Sequence, residues 1–369
     1  MKIKSIETFS TGYVTIVRVR STDGHEGFGQ TAPYHANITA LIVHQQLSRH
    51  VLGKEIDTID QLVEDIMRAE HKYYGSYLFR ALSGLETALW DLKGKQLGKS
   101  VCELLGGEHR PIEVYGSSMR RNISPEEESE RLKRIQQEYG IRAFKFRIGN
   151  NFGNDVDVYP GRTEQIIPTV RKALGEETLL YADANSAFTP TRAIEIGRLL
   201  EQYGLVHYEE PCPFPNLEWT KQVTEELDIA VAGGEQDTDL VQFQRMINMK
   251  AVDIVQPDIC YIGGLSRAIK VANMAEEAGM ICMPHSANLS MISVFTMHLT
   301  AAIPNAGQFM EYSIETRPWE EELFTSSFNV SDGKVKIPDG PGWGVQIRPE
   351  WLDKATYQIS ESKYEKTVI

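Results

Sequence analysis

Three short apolar runs in the middle of the chain each end in an acid. LLYADAN (179–185) carries Asp183, VHYEEP (206–211) carries Glu209, and IAVAGGE (229–235) ends at Glu235. Both intervals, 183 to 209 and 209 to 235, are 26 residues. Each run suits a buried strand and is too short for a helix, and a helical stretch separates each pair. Repeated units of this kind build a parallel sheet whose strands end at the same edge. The three carboxylates should therefore converge at one mouth. Clustered negative charges repel unless a cation sits among them, and an all-oxygen ligand set suits Mg²⁺.

The flanking sequence keeps the same grammar. Strands are predicted at IEVYGS (112–117), FKFRIG (144–149), DIVQPD (253–258), ICMPH (281–285) and QFMEY (308–312), which with the first three makes eight. Helical stretches lie between them. SPEEESERLKRIQQEYG (124–140) opens on a Ser cap with Pro next and stops at Gly, and SRAIKVANMAEEAG (266–279) has the same design. Eight such repeats fit a TIM-type barrel better than an open doubly wound sheet, and no GxGxxG follows a strand to open a helix. A chain of 369 residues is long enough for a barrel of about 250 residues and an accessory domain.

That accessory domain should come first. Residues 3–9 and 13–20 alternate like strands, and GFGQTAP (27–33) reads as loop or bulge. Helical spacing runs from about 38 to 70, is interrupted by HKYYGSY (71–77), and resumes in an amphipathic helix over 79–98 that stops at Gly98. Meander strands followed by helices suggest an α+β unit over residues 1–110, with the barrel over 111–334. The tail from about 335 to 369, with extended pieces such as WGVQIRPEW, is expected to pack back on the N-terminal unit.

Charge and cysteine content narrow the partners. A net charge of −13 argues against nucleic acid and anionic membranes. The four cysteines form no CxxC pair, no apolar stretch reaches the length of a membrane span, and the N-terminal stretch lacks a signal-peptide core. The expectation is a reduced, cytoplasmic protein.

The remaining predicted strands also end in ionisable groups. Lys145 and Arg147, two apart, share one face of their strand. They could neutralise acids inside the barrel or act on a substrate. Asp258 and His285 end neighbouring strands, where a carboxylate can hold an imidazole as a general base, and Glu311 ends the last strand. A cation that stabilises a developing enediolate, a base on one side and a cationic group on the other together suggest removal of a proton next to a carboxylate.

These motifs, taken together, resemble the enolase superfamily, most closely its mandelate racemase subgroup, over essentially the whole length. ALWDLKGKQLGKSVCELLGG (88–107) is similar to the family's segment joining cap to barrel. The resemblance implies an α/β fold, a modified (β/α)7β TIM barrel with an N-terminal α+β capping domain. It implies Mg²⁺ on Asp183, Glu209 and Glu235, a dyad of Asp258 in QPDICYIGG and His285 in PHS, and Glu311 as the strand-eight acid. It also implies a small carboxylate substrate and a symmetric homo-oligomer. One position departs from the family. Where a second Lys serves as base in related chains, this sequence has Arg147, which stays protonated at ordinary pH. That disfavours 1,1-proton transfer and favours one-base β-elimination of water from a sugar acid, with Lys145 and Arg147 holding the carboxylate and enediolate. The alternatives are a racemase, an epimerase or a cycloisomerase on the same scaffold and, from a different class, a non-catalytic ligand-binding barrel.

Specificity, the resemblance implies, lies in cap loops that close over the mouth. The candidates are Tyr34 and His35, with Tyr73 and Tyr74, which either contact substrate or pack between domains. Asn185, two residues after Asp183, is a further candidate substrate contact. The polar segment NNFGNDVDVYPGR (150–162) lengthens the connection after the second strand and either covers the site or is a neutral surface insertion.

Overall fold

The structure is a computed structural model that describes all residues except 151, 316, 327 and 363–369. The far end of the tail and Asn151 of the 150–162 segment therefore lie outside the described residues.

The N-terminal sheet is antiparallel. Its strands are β1 (Ile3–Ser10), β2 (Thr15–Ser21) and β3 (Glu26–Gln30), and β13 (Thr356–Glu361) completes the order β13-β1-β2-β3. β3 corrects the loop expected at GFGQTAP. Its glycines serve close approach, not a turn. A Cβ on Gly29 would stand 2.4 Å from the Ala88 nitrogen and from the Gly84 oxygen, and one on Gly27 would stand 2.2 Å from the Ala88 oxygen. Both backbones belong to α3 (Ser76–Leu97), which begins three residues earlier than predicted and lies directly on β3. The tail contains β12 (Lys334–Val335), a short helix at Pro349–Lys354 and then β13, where only extended pieces near WGVQIRPEW were expected.

The helical spacing over 38–70 is not one helix. It divides into α1 (Ala36–Ile42), a π turn at Val43–Leu47, a 3-10 turn at Ser48–His50 and, after a break, α2 (Ile59–Ala69). Thr58 caps α2 by accepting from Gln61 N–H. HKYYGSY supplies the 3-10 turn His71–Tyr73 before α3.

Eight parallel strands form the larger sheet: β4 (Ile112–Ser117), β5 (Ala143–Arg147), β6 (Leu179–Asp183), β7 (His207–Glu209), β8 (Ala230–Gly233), β9 (Ile254–Val255), β10 (Ile281–Cys282) and β11 (Met310–Ser313). Their order is β10-β9-β8-β7-β6-β5-β4-β11. Cys282 closes the ring toward β11, its N–H donating to Asn305 O (2.9 Å) and its carbonyl accepting from Gly307 N–H (3.1 Å). The helix after β4, Pro125–Tyr139, carries the predicted Ser124 cap, reciprocated by Glu127, and ends at Gly140 in the left-handed region.

The barrel interior is layered. Tyr115, Ala143, Tyr181, Ala232, Met283 and Phe309 pack in one buried cluster. Side chains alternate along a strand, so the residue two positions further faces the same interior, one layer nearer the mouth. Those residues are Ser117, Lys145, Asp183, Gly234, His285 and Glu311. An apolar plug thus sits beneath a polar layer at the C-terminal edge. Among the described residues no helix is long and apolar enough to cross a membrane.

Two buried acids of α3 join the parts. Asp91 accepts from Phe28 N–H of β3 (2.7 Å) and Trp343 N–H of the tail (2.9 Å). Glu86 accepts from the amides of Leu265 and Ser266 (both 2.8 Å) and from Trp90 Nε1 (2.8 Å). Those two amides start the helix Leu265–Glu277, whose N-cap Gly264 offers no side chain, so Glu86 supplies the missing acceptor.

Candidate active site

The strand register explains how the three acids meet. Asp183 lies directly opposite Glu209 in the β6–β7 ladder, whereas Glu209 lies opposite Ala232. Glu235 is therefore three residues beyond the register and two beyond the end of β8, despite the equal sequence spacing. Gly234 (φ +112°) makes the turn that returns it, and a Cβ there would meet the Phe243 ring at 2.7 Å. One oxygen from each of Asp183, Glu209 and Glu235 lies within 4.8 Å of the others, and all three residues are buried. Non-glycine residues with positive φ gather at the same edge: Asn185, Ser186 and Glu210. Strain of this kind persists where surrounding structure over-determines the backbone.

Both cations of β5 point into the cluster. Lys145 Nζ contacts Glu209 and lies 2.9 Å from Glu311 and 3.4 Å from Asp183. Arg147 contacts Asp183, donates to Asn185 Oδ1 (2.5 Å) and through Nε to Ser118 O (3.2 Å). Burial alone would raise the Asp183 carboxyl, but Arg147 and Lys145 hold it far below the usual carboxylate range. Burial likewise works against the Lys145 ammonium, and Glu209 and Glu311 raise it well above its ordinary value. Glu311 accepts from Ser117 Oγ and Ser286 N–H (both 2.7 Å), and despite burial Lys145 and His285 bring its pKa down to about 2.

On the opposite wall His285 Nδ1 donates to Asp258 Oδ2 (2.7 Å). Asp258 Oδ1 accepts from Cys260 N–H (2.7 Å) and Tyr261 N–H (2.9 Å), capping the short helix Ile259–Ile262. The ring's other nitrogen, Nε2, faces the cluster, 3.3 Å from Glu235 and 3.9 Å from Glu311. Burial would lower the imidazole pKa, but Glu235, Glu311 and Asp258 outweigh it and push it to about 10.

The donor set fits a divalent cation. Glu235 Oε2 is buried with no hydrogen-bond partner, its approach to His285 Nε2 lacking hydrogen-bond geometry. The triad and Glu311 carry four negative charges against the two positive charges of Lys145 and Arg147.

The sequence matches two family profiles. Residues 2–106 match the mandelate racemase / muconate lactonizing enzyme N-terminal domain, and residues 127–351 match the enolase C-terminal domain-like family. The chain belongs to the enolase superfamily, in its mandelate racemase branch. Arabinonate dehydratase of Saccharolobus solfataricus is 27% identical over 91% of this chain and 88% of its own length. L-talarate/galactarate dehydratase of Salmonella typhimurium is 30% identical over 90% of this chain and 80% of its own. A crystal structure of a candidate racemase from Roseobacter denitrificans superimposes with a TM-score of 0.96 at 52% identity, covering 98% of this chain and 100% of that one.

This enolase-superfamily site also contains residues that the strand-end reasoning passed over. Gln256, two before Asp258 and so facing the same interior, donates to Glu209 (2.7 Å). Arg121, in the loop after β4, donates to Asn185 Oδ1 (2.7 Å) beside Arg147 and carries no strand signature. Glu210, the second acid of YEEP, is buried with one oxygen unpartnered, and burial with its anionic neighbours raises its pKa well above the ordinary value. Asn185, expected from the sequence as a substrate contact, sits inside the cluster, its Nδ2 3.4 Å from both Asp183 and Glu235.

The cap residues stand apart from this core. Tyr34 is exposed and held at φ +67°, with its N–H on Tyr13 O (2.6 Å). His35 precedes α1 at φ +51°, its ring edge-on to Tyr77 at 6.2 Å. Tyr74 donates to Asp239 Oδ1 (3.3 Å) at the start of the barrel helix Leu240–Met249, linking the 71–77 loop to the barrel. Tyr73 is exposed.

Proposed function

We propose that the chain is an acid-sugar dehydratase that uses Mg²⁺, with His285 as its only base. A divalent cation held by Asp183, Glu209 and Glu235 would supply Lewis-acid stabilisation of the substrate carboxylate as charge builds on it. With Glu235 so engaged, much of the field that raises the His285 pKa is withdrawn, and the imidazole is free to accept a proton.

His285 Nε2 takes the proton from the carbon next to the carboxylate, and the electron pair moves into the carboxylate to give an enediolate. Lys145 and Arg147 stabilise that charge from the strand opposite His285. The pair then returns as the bond from the neighbouring carbon to its hydroxyl breaks, and the imidazolium gives its proton to the departing oxygen. Water leaves, and the enol product tautomerises to a 2-keto-3-deoxy acid. Asp258 keeps the Nδ1 proton in place throughout, so that Nε2 is the nitrogen that exchanges.

The observation that carries the one-base reading is the asymmetry of the two walls. His285 with its carboxylate partner faces a guanidinium that is ion-paired to Asp183, and burial does not prevent its carboxylate neighbours from raising the Arg147 pKa further. A racemase needs a base on each face, and Arg147 offers none. Incubating the protein and Mg²⁺ with a panel of mono- and diacid sugars, with His285→Asn as control, tests the reading. A 2-keto-3-deoxy acid from the parent enzyme and none from the variant is expected. Turnover retained by His285→Asn would remove the base assignment.

A further inference from the structure

The long connection after β5 is bound to the loops that follow β6 and β7. Gly153 N–H donates to Ser186 O (2.7 Å), and Asp155 N–H donates to Ala187 O (3.1 Å). The Asp155 carboxylate accepts from Thr189 N–H (2.6 Å) and from Thr189 Oγ1 (2.8 Å). The Phe152 ring stands edge-on to Phe214, with centres 6.0 Å apart. At the far end Arg162 Nη1 donates to Arg147 O (3.0 Å), and Thr163 Oγ1 accepts from Gly149 N–H (2.9 Å). One segment thus braces the ends of the three strands that carry Arg147, Asp183 and Glu209.

What it braces is a strained turn. Asn185 and Ser186 are consecutive non-glycine residues at φ +42° and +64°, a conformation that persists only where its neighbours over-determine it. The turn matters to the acid cluster. Asn185 N–H donates to Asp183 Oδ1 (2.8 Å), and the Asn185 side chain joins Arg147 to Asp183 and Glu235. On one side the β7 loop holds the turn, with Ser186 N–H on Glu210 O (2.7 Å) and Ser186 Oγ accepting from Phe214 N–H (3.2 Å). On the other side stand Gly153 and Asp155. Asp155 is exposed and itself lies at φ +56°, a region that Asp and Asn enter more readily than other non-glycine residues.

We propose that Asp155 is a positioning residue for the cation site. By holding Ala187 and Thr189 it keeps the Asn185–Ser186 turn in place, and so sets the Asp183 and Asn185 side chains before Mg²⁺ arrives. The inference rests on the reading above that Mg²⁺ binds Asp183, Glu209 and Glu235. Groups that orient a metal's ligands from behind contribute to its affinity without touching it. Asp155 acts one step further out, through the backbone of the loop. The insertion after β5 then serves the metal site as a brace for the strand ends that carry its ligands.

The test is calorimetric titration of the full-length, metal-free protein with Mg²⁺, for the parent, Asp155→Gly and Asp155→Asn, with urea unfolding of the same metal-free preparations. Gly adopts φ +56° without strain, so Asp155→Gly removes the carboxylate and leaves the turn geometry open to it. Asn keeps an oxygen for Thr189 N–H and an NH₂ that donates to Thr189 Oγ1, and so removes only the charge. Asp155→Gly should weaken Mg²⁺ binding about 5- to 10-fold, with an unfolding midpoint close to the parent's, and Asp155→Asn should bind within about twofold of the parent. Unchanged affinity in Asp155→Gly would overturn the Asp155 assignment. Equal weakening in both variants would overturn it too, by making the effect one of charge. So would failure of Asp155→Gly to fold, or a loss of folding stability as large as the loss in binding, since the contact would then be structural. Each of these results leaves the metal site itself intact. Absence of Mg²⁺ binding by the parent would overturn the metal reading, and the role of Asp155 with it.

Discussion

Replacing Asp258 by Asn separates chemistry from stability at one atom. One oxygen of Asp258 accepts from His285 Nδ1, and the other accepts from two backbone amides, Cys260 and Tyr261. An Asn side chain keeps only one oxygen. Turned toward the imidazole, that oxygen would leave two buried amides against an NH₂ group, at about 1–3 kcal/mol each. The oxygen should therefore stay on the amides, and Asn caps a helix as well as Asp does. The NH₂ then faces Nδ1, which must accept, and the ring proton moves to Nε2, the nitrogen that faces the acid cluster. A base in the wrong tautomer loses about 10⁴-fold in rate, roughly 5.5 kcal/mol of transition-state stabilisation. Folding stability should change by less than about 1 kcal/mol. The assays are α-proton exchange in D₂O and urea unfolding of the same preparations. A rate loss under tenfold, or a comparable loss in stability, would refute the reasoning that Asp258 sets the His285 tautomer.

Three further perturbations have defined outcomes. Arg147→Lys places a titratable amine opposite His285 and should introduce α-proton exchange with inversion, seen by NMR of recovered substrate; weakened binding alone would make Arg147 an anchor. Gly29→Ala should cost at least about 3 kcal/mol in urea unfolding, because the new Cβ meets the α3 backbone at 2.4 Å with no flexible atom to yield; a cost under about 1 kcal/mol would contradict the packing. His298 is buried and neutral, accepting at Nδ1 from Cys102 N–H (3.0 Å) and donating from Nε2 to Trp343 O (3.2 Å), and burial lowers its pKa to about 3. The unfolded chain binds this proton first, so its contribution is complete above about pH 6.5 and is lost as pH falls toward 3, by up to about 1.4 kcal/mol per pH unit. His298→Asn should flatten the pH dependence of unfolding over that range, and an unchanged slope would rule His298 out.

Strand-end acids were legible in the sequence because barrel strands are short apolar runs, and the interior parity carries each acid, Lys or His to the mouth. Equal spacing was a weaker guide than it looked. Asp183 and Glu209 share a register, but Glu235 reaches the cluster only through the turn at Gly234. GFGQTAP was misread because glycine marks turns more often than close packing, and only the α3 backbone lying on β3 shows which use applies. β13 was missed because its residues are mostly exposed and its partner, β1, is more than 300 residues away in sequence. Arg121 was out of reach for another reason. A loop brings it to the site through tertiary packing, which leaves no periodic trace.

The central claim is that protons are removed from one face only. The most direct measurement is ¹H NMR of unreacted sugar acid recovered after partial turnover in D₂O with Mg²⁺. Deuterium in substrate of unchanged configuration, with a 2-keto-3-deoxy acid accumulating, is predicted. Deuterated substrate of inverted configuration would contradict it, since a second base would then act from the wall that carries Arg147.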